Sequence, residues 1–536
     1  MNDEVRVARA FHDRTAHSRA SVRTSAHVLE WDVKPFPFKV YTDLPPLALP
    51  RDFDPVAIDA FAALGAEPSP APARLTLERV AALLYFSAGV TKKKTYPGGG
   101  EVLFRAAAST GALFQTEMYL VAGGVDGLAP GLYHFCPGDF ALRQLRAGDV
   151  RGALAAAAAD ESLATRAATI ALSAIYWRNT WKYQARGYRH LFWDSGTMLA
   201  NLLAVGGALG AAPRVVTGFV DDDVNRLLGL DPDREAALEL VAVGAIDMGG
   251  PDMAPHTPHP HARGAPAEPG RPSIPGVPGG LEAMEHQVMP LSSSEVDYPL
   301  LREIHRASAL PTAEAVRAWR AAAPPPARTP RGPVEALPDP SRSAGRSLGD
   351  TIQHRGSSRE FSHDSITARE LSTALWWATR PIEADVPSGL VDLYLVVNAV
   401  EGVAPGAYRY WPDAHGLERL SAGDYRRQSA YLTLDQSLGG DAAAVIYFLA
   451  PLDALLRAFG NRGYRLANLE AGTAGGRAYL ASYAQRFGAT GLTFYDGDVV
   501  RFFSPHATGL DAIFVTALGR AARDAGAGAT ALLHAR

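Results

Sequence analysis

Apolar residues along this chain fall into runs whose lengths and order repeat. In "TLERVAALLYFSAG" (76–89) and again in "TARELSTALWWATR" (367–380), apolar positions return every three to four residues, which predicts a helix in each place. A short, nearly unbroken apolar run follows each, "EMYLVAGG" (117–124) and "LYLVVNAV" (393–400), the pattern of a buried strand. Next comes a Gly-Pro turn with a short strand, "LAPGLYHF" (128–135) and "VAPGAYRY" (403–410). Another apolar strand (168–175, 443–450), a long helix of small and apolar residues (196–210, 472–488) and a closing strand (238–244, 512–519) complete each series. Strands mixed with long apolar helices predict an α+β sandwich.

The repetition extends to residue identity. "VDGLAPGLYHFCPGDFALRQLRAGDVR" (125–151) aligns without a gap to "VEGVAPGAYRYWPDAHGLERLSAGDYR" (400–426), and "ARGYRHLFWDSG" (185–196) to "NRGYRLANLEAG" (461–472). The period is far too long for a solenoid, so the chain holds two homologous domains. The expected boundaries are an N-terminal arm (1–74), domain 1 (75–248), a Pro/Gly-rich linker with a helical arm (249–346), domain 2 (347–522) and a C-terminal tail (523–536). His256, His259 and His261 alternate with proline in the linker, which reads as a solvated segment and not a metal shell.

Composition narrows the functional classes. With 20% charged residues and a net charge of −4, neither nucleic acid nor an anionic membrane is implied as partner. The polar N-terminus lacks a secretory pattern and no apolar run is long enough to span a bilayer, so a cytoplasmic protein is expected. Cys136, the single cysteine, forms no intrachain disulfide and reads as a small core residue beside Tyr133 and Phe135. No metal site is expected.

One phrase, "TIQHRGSSREF" (351–361), has no counterpart in the other half. Arg355, Ser357 and Arg359 alternate, so an extended backbone projects them to one side. Guanidinium pairs bidentately with phosphate better than ammonium does. The plainer reading is a polar turn before the helix at 367–380, with Ser or Thr capping it. Domain 1 carries the other unshared pair, Lys182–Tyr183 in "NTWKYQARGYRH", where domain 2 has Phe459–Gly460. By itself Lys182 reads as an exposed lysine on an aromatic surface. Arg186, Tyr188 and Arg189 recur as Arg462, Tyr464 and Arg465, which favours a scaffold role, with Asp194 and Glu470 as expected ion partners. The acidic run Asp221–Asp223 reads as a helix cap.

The ordered set of Arg-x-Ser-x-Arg, a small-residue loop before "YLV", "PGxYxY", "KYxxRGYR" and a Gly-bearing long helix resembles the nitroreductase fold. More narrowly, it resembles the azoline dehydrogenases of the SagB type, FMN-dependent oxidases that make thiazoles and oxazoles in modified peptides. The resemblance implies a tandem pair of FMN-dependent domains forming an intramolecular pseudo-dimer in a monomeric chain, with flavin at the domain interface. It assigns Arg355, Ser357 and Arg359 to FMN. It also assigns the loop Arg105, Ala108, Ser109, Thr110 and Gly111, where Ala108 replaces the usual proline, and the segment Thr490, Gly491 and Leu492 that runs past the ring. It gives Lys182 and Tyr183 the catalytic roles: Lys182, its pKa lowered by burial or a nearby Arg, as acceptor of the azoline proton, and Tyr183 orienting the ring or relaying the proton. The implied substrate is a peptide or small molecule, with other biosynthetic enzymes as partners. One FMN per chain is expected, because the second composite site would pair a missing Arg-x-Ser-x-Arg with a shortened loop. Two other functions stay open: an NAD(P)H-dependent nitro, quinone or enone reductase, and a flavin-free scaffold subunit.

Overall fold

The computed structural model describes residues 5–66, 73–95, 100–246, 283–522 and 530–531. The histidine-proline segment and most of the C-terminal tail lie outside the described residues. Domain 1 is built on strands β1 (Leu47–Ala48), β2 (Thr116–Ala122), β3 (Gly131–Cys136), β4 (Ala141–Ala147), β5 (Arg166–Ile175), β6 (Arg214–Val216) and β7 (Glu235–Ile246). They form one antiparallel sheet in the order β1-β4-β3-β2-β5-β7-β6. Domain 2 repeats the plan with β8 (Val334–Ala336), β9 (Asp392–Val397), β10 (Gly406–Trp411), β11 (Gly416–Ala422), β12 (Ala444–Ala450), β13 (Gly488–Gly491) and β14 (Asp511–Gly519). Their order, β8-β11-β10-β9-β12-β14-β13, is the same path. The central strands β2 and β9 are buried almost throughout, as their unbroken apolar runs require.

The helices that matter for the site are α1 (Arg6–Arg14), α2 (Leu77–Ala88), α3 (Tyr176–Tyr183), α4 (Gly187–Ala208), α5 (Pro299–Ala307), α6 (Ala368–Ala378) and α7 (Arg462–Ala484). Thr76 Oγ caps α2, and Thr367 with Glu370 forms a capping box on α6. The cap of α6 is therefore Thr367, and the Arg355–Arg359 segment upstream is not needed for it. Helices α4 and α7 are buried nearly all round, because each lies between its own sheet and the other domain. They cross at Gly196 and Gly472, where the backbones almost touch. A Cβ on Gly196 would sit 2.6 Å from Thr473 N, and one on Gly472 would sit 2.6 Å from Trp193 O.

The repeated arginines hold this interface, but not through the expected acids. Arg186 and Arg189 of domain 1 both pair with Asp496 of domain 2. Arg462 and Arg465 of domain 2 both pair with Asp221 of domain 1, each at 2.6 Å. Burial alone would raise the Asp221 carboxyl, but the two guanidiniums outweigh it and hold it at about 2. Asp221 is thus an interdomain anchor at the first turn of its helix, where a cap was expected, and its side chain makes no cap bond.

The arms obey the same pseudo-twofold. Arg189 donates to His12 O and Thr15 Oγ1 at the end of α1. Arg465 donates to His305 O and Ser308 Oγ at the end of α5. Each arm then adds an edge strand, β1 or β8, to its domain. The duplicated unit therefore includes the arms. Phe11 sits edge-on between Tyr188 and Tyr464, one from each half, at 5.5 and 5.8 Å. Cys136 is buried, and burial pushes its thiol pKa up, in keeping with a core residue. Among the described residues no helix is long and apolar enough to cross a membrane, and no group of three His, Cys, Asp or Glu is placed to hold a metal.

Candidate functional site

The unshared residues of the two domains meet at one end of the helix crossing. The segment after helix Leu348–His354 runs extended and docks on β13, with Ser358 N donating to Ala489 O. Arg355 points across the interface and is buried. Its Nε donates to Ala106 O (2.8 Å) and its Nη2 to Arg105 O (2.9 Å), so domain 2 grips the backbone that leads into the domain 1 loop. Arg355 makes no ion pair among the described residues, and burial lowers its pKa. Its Nη1 donates to Gly356 O (3.1 Å), so each nitrogen meets a carbonyl and none a carboxylate, which leaves the buried charge without a counter-charge and favours an anion beside it.

Ser357 Oγ lies 3.3 Å from the Tyr479 hydroxyl, which also accepts from Gly491 N. Tyr479 thereby ties the Ser357 segment to Thr490–Leu492. Thr490 and Leu492 are buried, and Leu492 N donates to Val515 O. Arg359 is exposed, yet close enough to Lys182 and Tyr183 of domain 1 to act on both electrostatically.

On the domain 1 side, Asp194 of α4 organises the loop. It accepts from Ser109 Oγ (2.6 Å), Thr110 N (2.8 Å), Thr110 Oγ1 (2.7 Å) and Gln115 Nε2 (2.6 Å). Burial outweighs these bonds and raises its pKa to about 6. Glu470 does the same in domain 2, accepting from Gly389, Leu390 and Val391 N–H, with burial raising it to about 7. Both acids, expected to pair with arginines, are loop clamps instead. Gly111 has φ of +66°, and a Cβ there would sit 2.9 Å from the Tyr183 hydroxyl, so glycine lets the loop lie against Tyr183. Ala108 receives a hydrogen bond from Thr197 Oγ1 on its carbonyl, which fixes the loop where a proline would otherwise stiffen it.

Lys182 and Tyr183 end α3 beside this loop. Lys182 is half-buried, and burial, then Arg359 and Lys34, lower its pKa. Burial and then Asp194 raise that of Tyr183. Arg105 joins the site only through its carbonyl. Its guanidinium is buried between the Phe38 and Phe114 rings and donates to Thr116 O and Pro37 O.

Two contributors escaped the sequence reading. Tyr479 lies in an ordinary helical pattern. Lys92 Nζ donates to His354 O and Arg355 O, both at 2.9 Å, from the strand Val90–Thr95 that pairs with Glu101–Arg105. The lysine run "TKKKT" was the available signal for Lys92.

The nitroreductase family profile matches the chain twice, at 79–245 and 352–514. A nitroreductase homologue of Methanocaldococcus jannaschii is 29% identical over 161 residues, 28% of this chain and 81% of that protein. The trifolitoxin-processing protein TfxB of Rhizobium leguminosarum bv. trifolii is 27% identical over 190 residues, 34% of this chain and 51% of TfxB, so the match spans only about half of that relative. A nitroreductase-like protein of Anabaena variabilis, solved at 1.80 Å, superimposes with a TM-score of 0.73 and 25% identity over 96% of this chain and 99% of its own.

Proposed function

Because the chain belongs to the nitroreductase family, a family of flavin-type oxidoreductases, we propose that it binds one FMN at the composite site and dehydrogenates an azoline or similar ring in a peptide-derived substrate. The observation that carries this reading is Arg355: a buried guanidinium without a carboxylate, at the junction of the two halves and on the side where Arg359 nears Lys182 and Tyr183. The likeness to TfxB, a toxin-processing protein, supports a peptide-derived substrate.

Arg355 and Arg359 would hold the phosphate, while Ser357 and the Gly491 segment would line the rest of the cofactor. The Ser109–Gly111 loop closes the site from domain 1. The chemistry that FMN supplies when bound is the acceptance of a hydride. Dehydrogenation of an azoline also releases a proton from the neighbouring carbon, and Lys182 Nζ accepts it. Burial and the positive charge of Arg359 bias that nitrogen toward its neutral form, as a base requires. Tyr183 keeps its proton, because burial and Asp194 disfavour the phenolate, and it orients the ring as a donor. A simple hydride reductase has no need of this pair.

Purified protein should release about one FMN per chain, and Arg355→Ala with Arg359→Ala should abolish retention. Lys182→Ala should spare flavin and remove oxidation of an azoline-bearing peptide. A preparation that stays colourless with added FMN would sink the proposal. Full turnover by Lys182→Ala would remove the proton-acceptor role alone.

A further inference from the structure

The pseudo-twofold mate of the composite site is a different structure. There the Glu470-clamped loop, the end of α6, α7, residues 325–328 and the domain 1 residues Val215 and Thr217 enclose a cavity of about 390 Å³. That is within the usual range for small-ligand sites. Val215, Leu455, Leu466, Leu469 and Ala474 supply apolar wall, and exposed Pro381, Pro387 and Ser388 form the rim.

Four arginines line it: Arg328, Arg380, Arg409 and Arg477. Two are accounted for, since Arg328 and Arg409 share Asp392. Arg380 and Arg477 form no ion pair among the described residues. Arg477 is 7% exposed. It donates through Nη1 to the carbonyl of Arg380 and leaves a buried Nε without a partner. Burial and the neighbouring Arg380 lower its pKa to about 10. The Arg380 guanidinium stacks 3.5 Å from the Trp376 ring centre, with its Nε on Trp376 O. The other acids lining the cavity offer little compensation. Glu470 is engaged with three backbone N–H groups, and Asp413, whose charge acts on Arg380, is exposed and forms no ion pair with it.

The pairing belongs to this half alone. Counting from the Gly196/Gly472 crossing, Arg477 corresponds to Asn201, whose amide is satisfied by Phe86 O. Two adjacent guanidiniums without carboxylates at an apolar cavity repel each other unless an anion lies between them. We propose that this cavity binds a small organic anion, a carboxylate or phosphate on an apolar body, through Arg380 and Arg477. The site is distinct from the flavin site, and its evidence does not rest on flavin binding at all.

The test is calorimetric titration of the full chain, as purified, with benzoate, phenyl phosphate and the neutral benzamide. One anionic probe should bind once per chain, at least tenfold tighter than benzamide. A preference for benzoate identifies the natural head group as a carboxylate, and one for phenyl phosphate identifies a phosphate. Arg380→Gln and Arg477→Gln should each weaken binding at least tenfold and leave the FMN content unchanged. Should Arg477→Gln misfold, the half-buried Arg380→Gln decides alone. Equal binding of benzamide, no saturable binding of either anion, or unchanged affinity in the variants would overturn the proposal. So would a second FMN per chain that disappears in Arg477→Gln, since the cavity would then be a flavin site.

Discussion

The contact between α4 and α7 sets the spacing of everything that bridges the domains, and it can be tested by a single methyl group. In Gly196→Ala the new Cβ would lie 2.6 Å from Thr473 N and 2.7 Å from Leu469 O. An ordinary carbon contact with such atoms is roughly 3.4 Å, so about 0.7–0.8 Å must be found. The opposing atoms are backbone and cannot rotate aside, so the helices must separate. Overpacking of this kind costs about 1–3 kcal/mol. Gly472→Ala meets Trp193 O at 2.6 Å from the other side and should cost the same. The two positions relieve one clash, so the double variant should cost clearly less than the sum of the singles. Gly152→Ala is the control: it lies in a helix with nothing within 4 Å of the new Cβ and should leave stability unchanged or raised by up to about 1 kcal/mol. Urea denaturation gives the free energies, and retention of added FMN after gel filtration reports on the proposed composite site. If Gly196→Ala unfolds at the wild-type midpoint, or the double variant is strictly additive, the crossing does not set the domain spacing.

Three further outcomes follow from the same geometry. Asp496→Ala strands Arg186 and Arg189 in the core, so it should lose about 3–5 kcal/mol in urea denaturation, as should Asp221→Ala for Arg462 and Arg465. Asp194 has a folded pKa raised to about 6 against an ordinary 3.8. The native state therefore binds that proton more tightly, and the stability it confers at low pH is lost as pH rises through 6. Relative to Asp194→Asn, wild type should lose about 1.4 kcal/mol between pH 5 and pH 7.5, and a parallel pH dependence of the two would refute the shift. Arg359→Gln should raise the titration midpoint of Lys182, followed by NMR of ¹³C-methylated lysines, because it removes a positive charge acting across the domain interface.

What the sequence disclosed was set by local pattern. The buried strands and the long helices follow from unbroken apolar runs, and the duplication follows from identities that survive in turns such as "APGxY". The unshared residues were legible because the second copy served as a reference: Arg355 and Lys182 stand out only against what the other half lacks. The partners of Arg186 and Arg462 were not legible. The nearest acids in sequence, Asp194 and Glu470, lie eight residues on in the helix that follows or contains each arginine, whereas the true partners come from the opposite domain, and only the fold brings those together. The arms were hidden for a related reason. Phe11, His12 and Thr15 answer to Ile304, His305 and Ser308, a match too short to show in sequence but plain once the histidine carbonyls and the Thr15 and Ser308 hydroxyls accept from the matching arginines, Arg189 and Arg465.

Comparison of the two halves also separates what the fold needs from what a site needs. In a symmetric dimer every substitution changes both interfacial sites at once, whereas in a fused chain each half can change alone. The features kept twice are those on which both sites depend: the glycine crossing, the arginine pairs with Asp496 and Asp221, and the acid that clamps the loop at 194 and 470. Among the features present once, the cations stand out. One end of the crossing has Arg355, Arg359, Lys182 and the Lys92 strand, and the other has Arg380 and Arg477. A degenerate, unused site would be expected to lose its charges or to pair them, since burying an unpaired guanidinium costs stability and returns nothing. The Arg477 end has done neither. Its divergence is better read as a change of ligand than as decay, and that is why the two ends of one duplicated interface call for separate binding experiments.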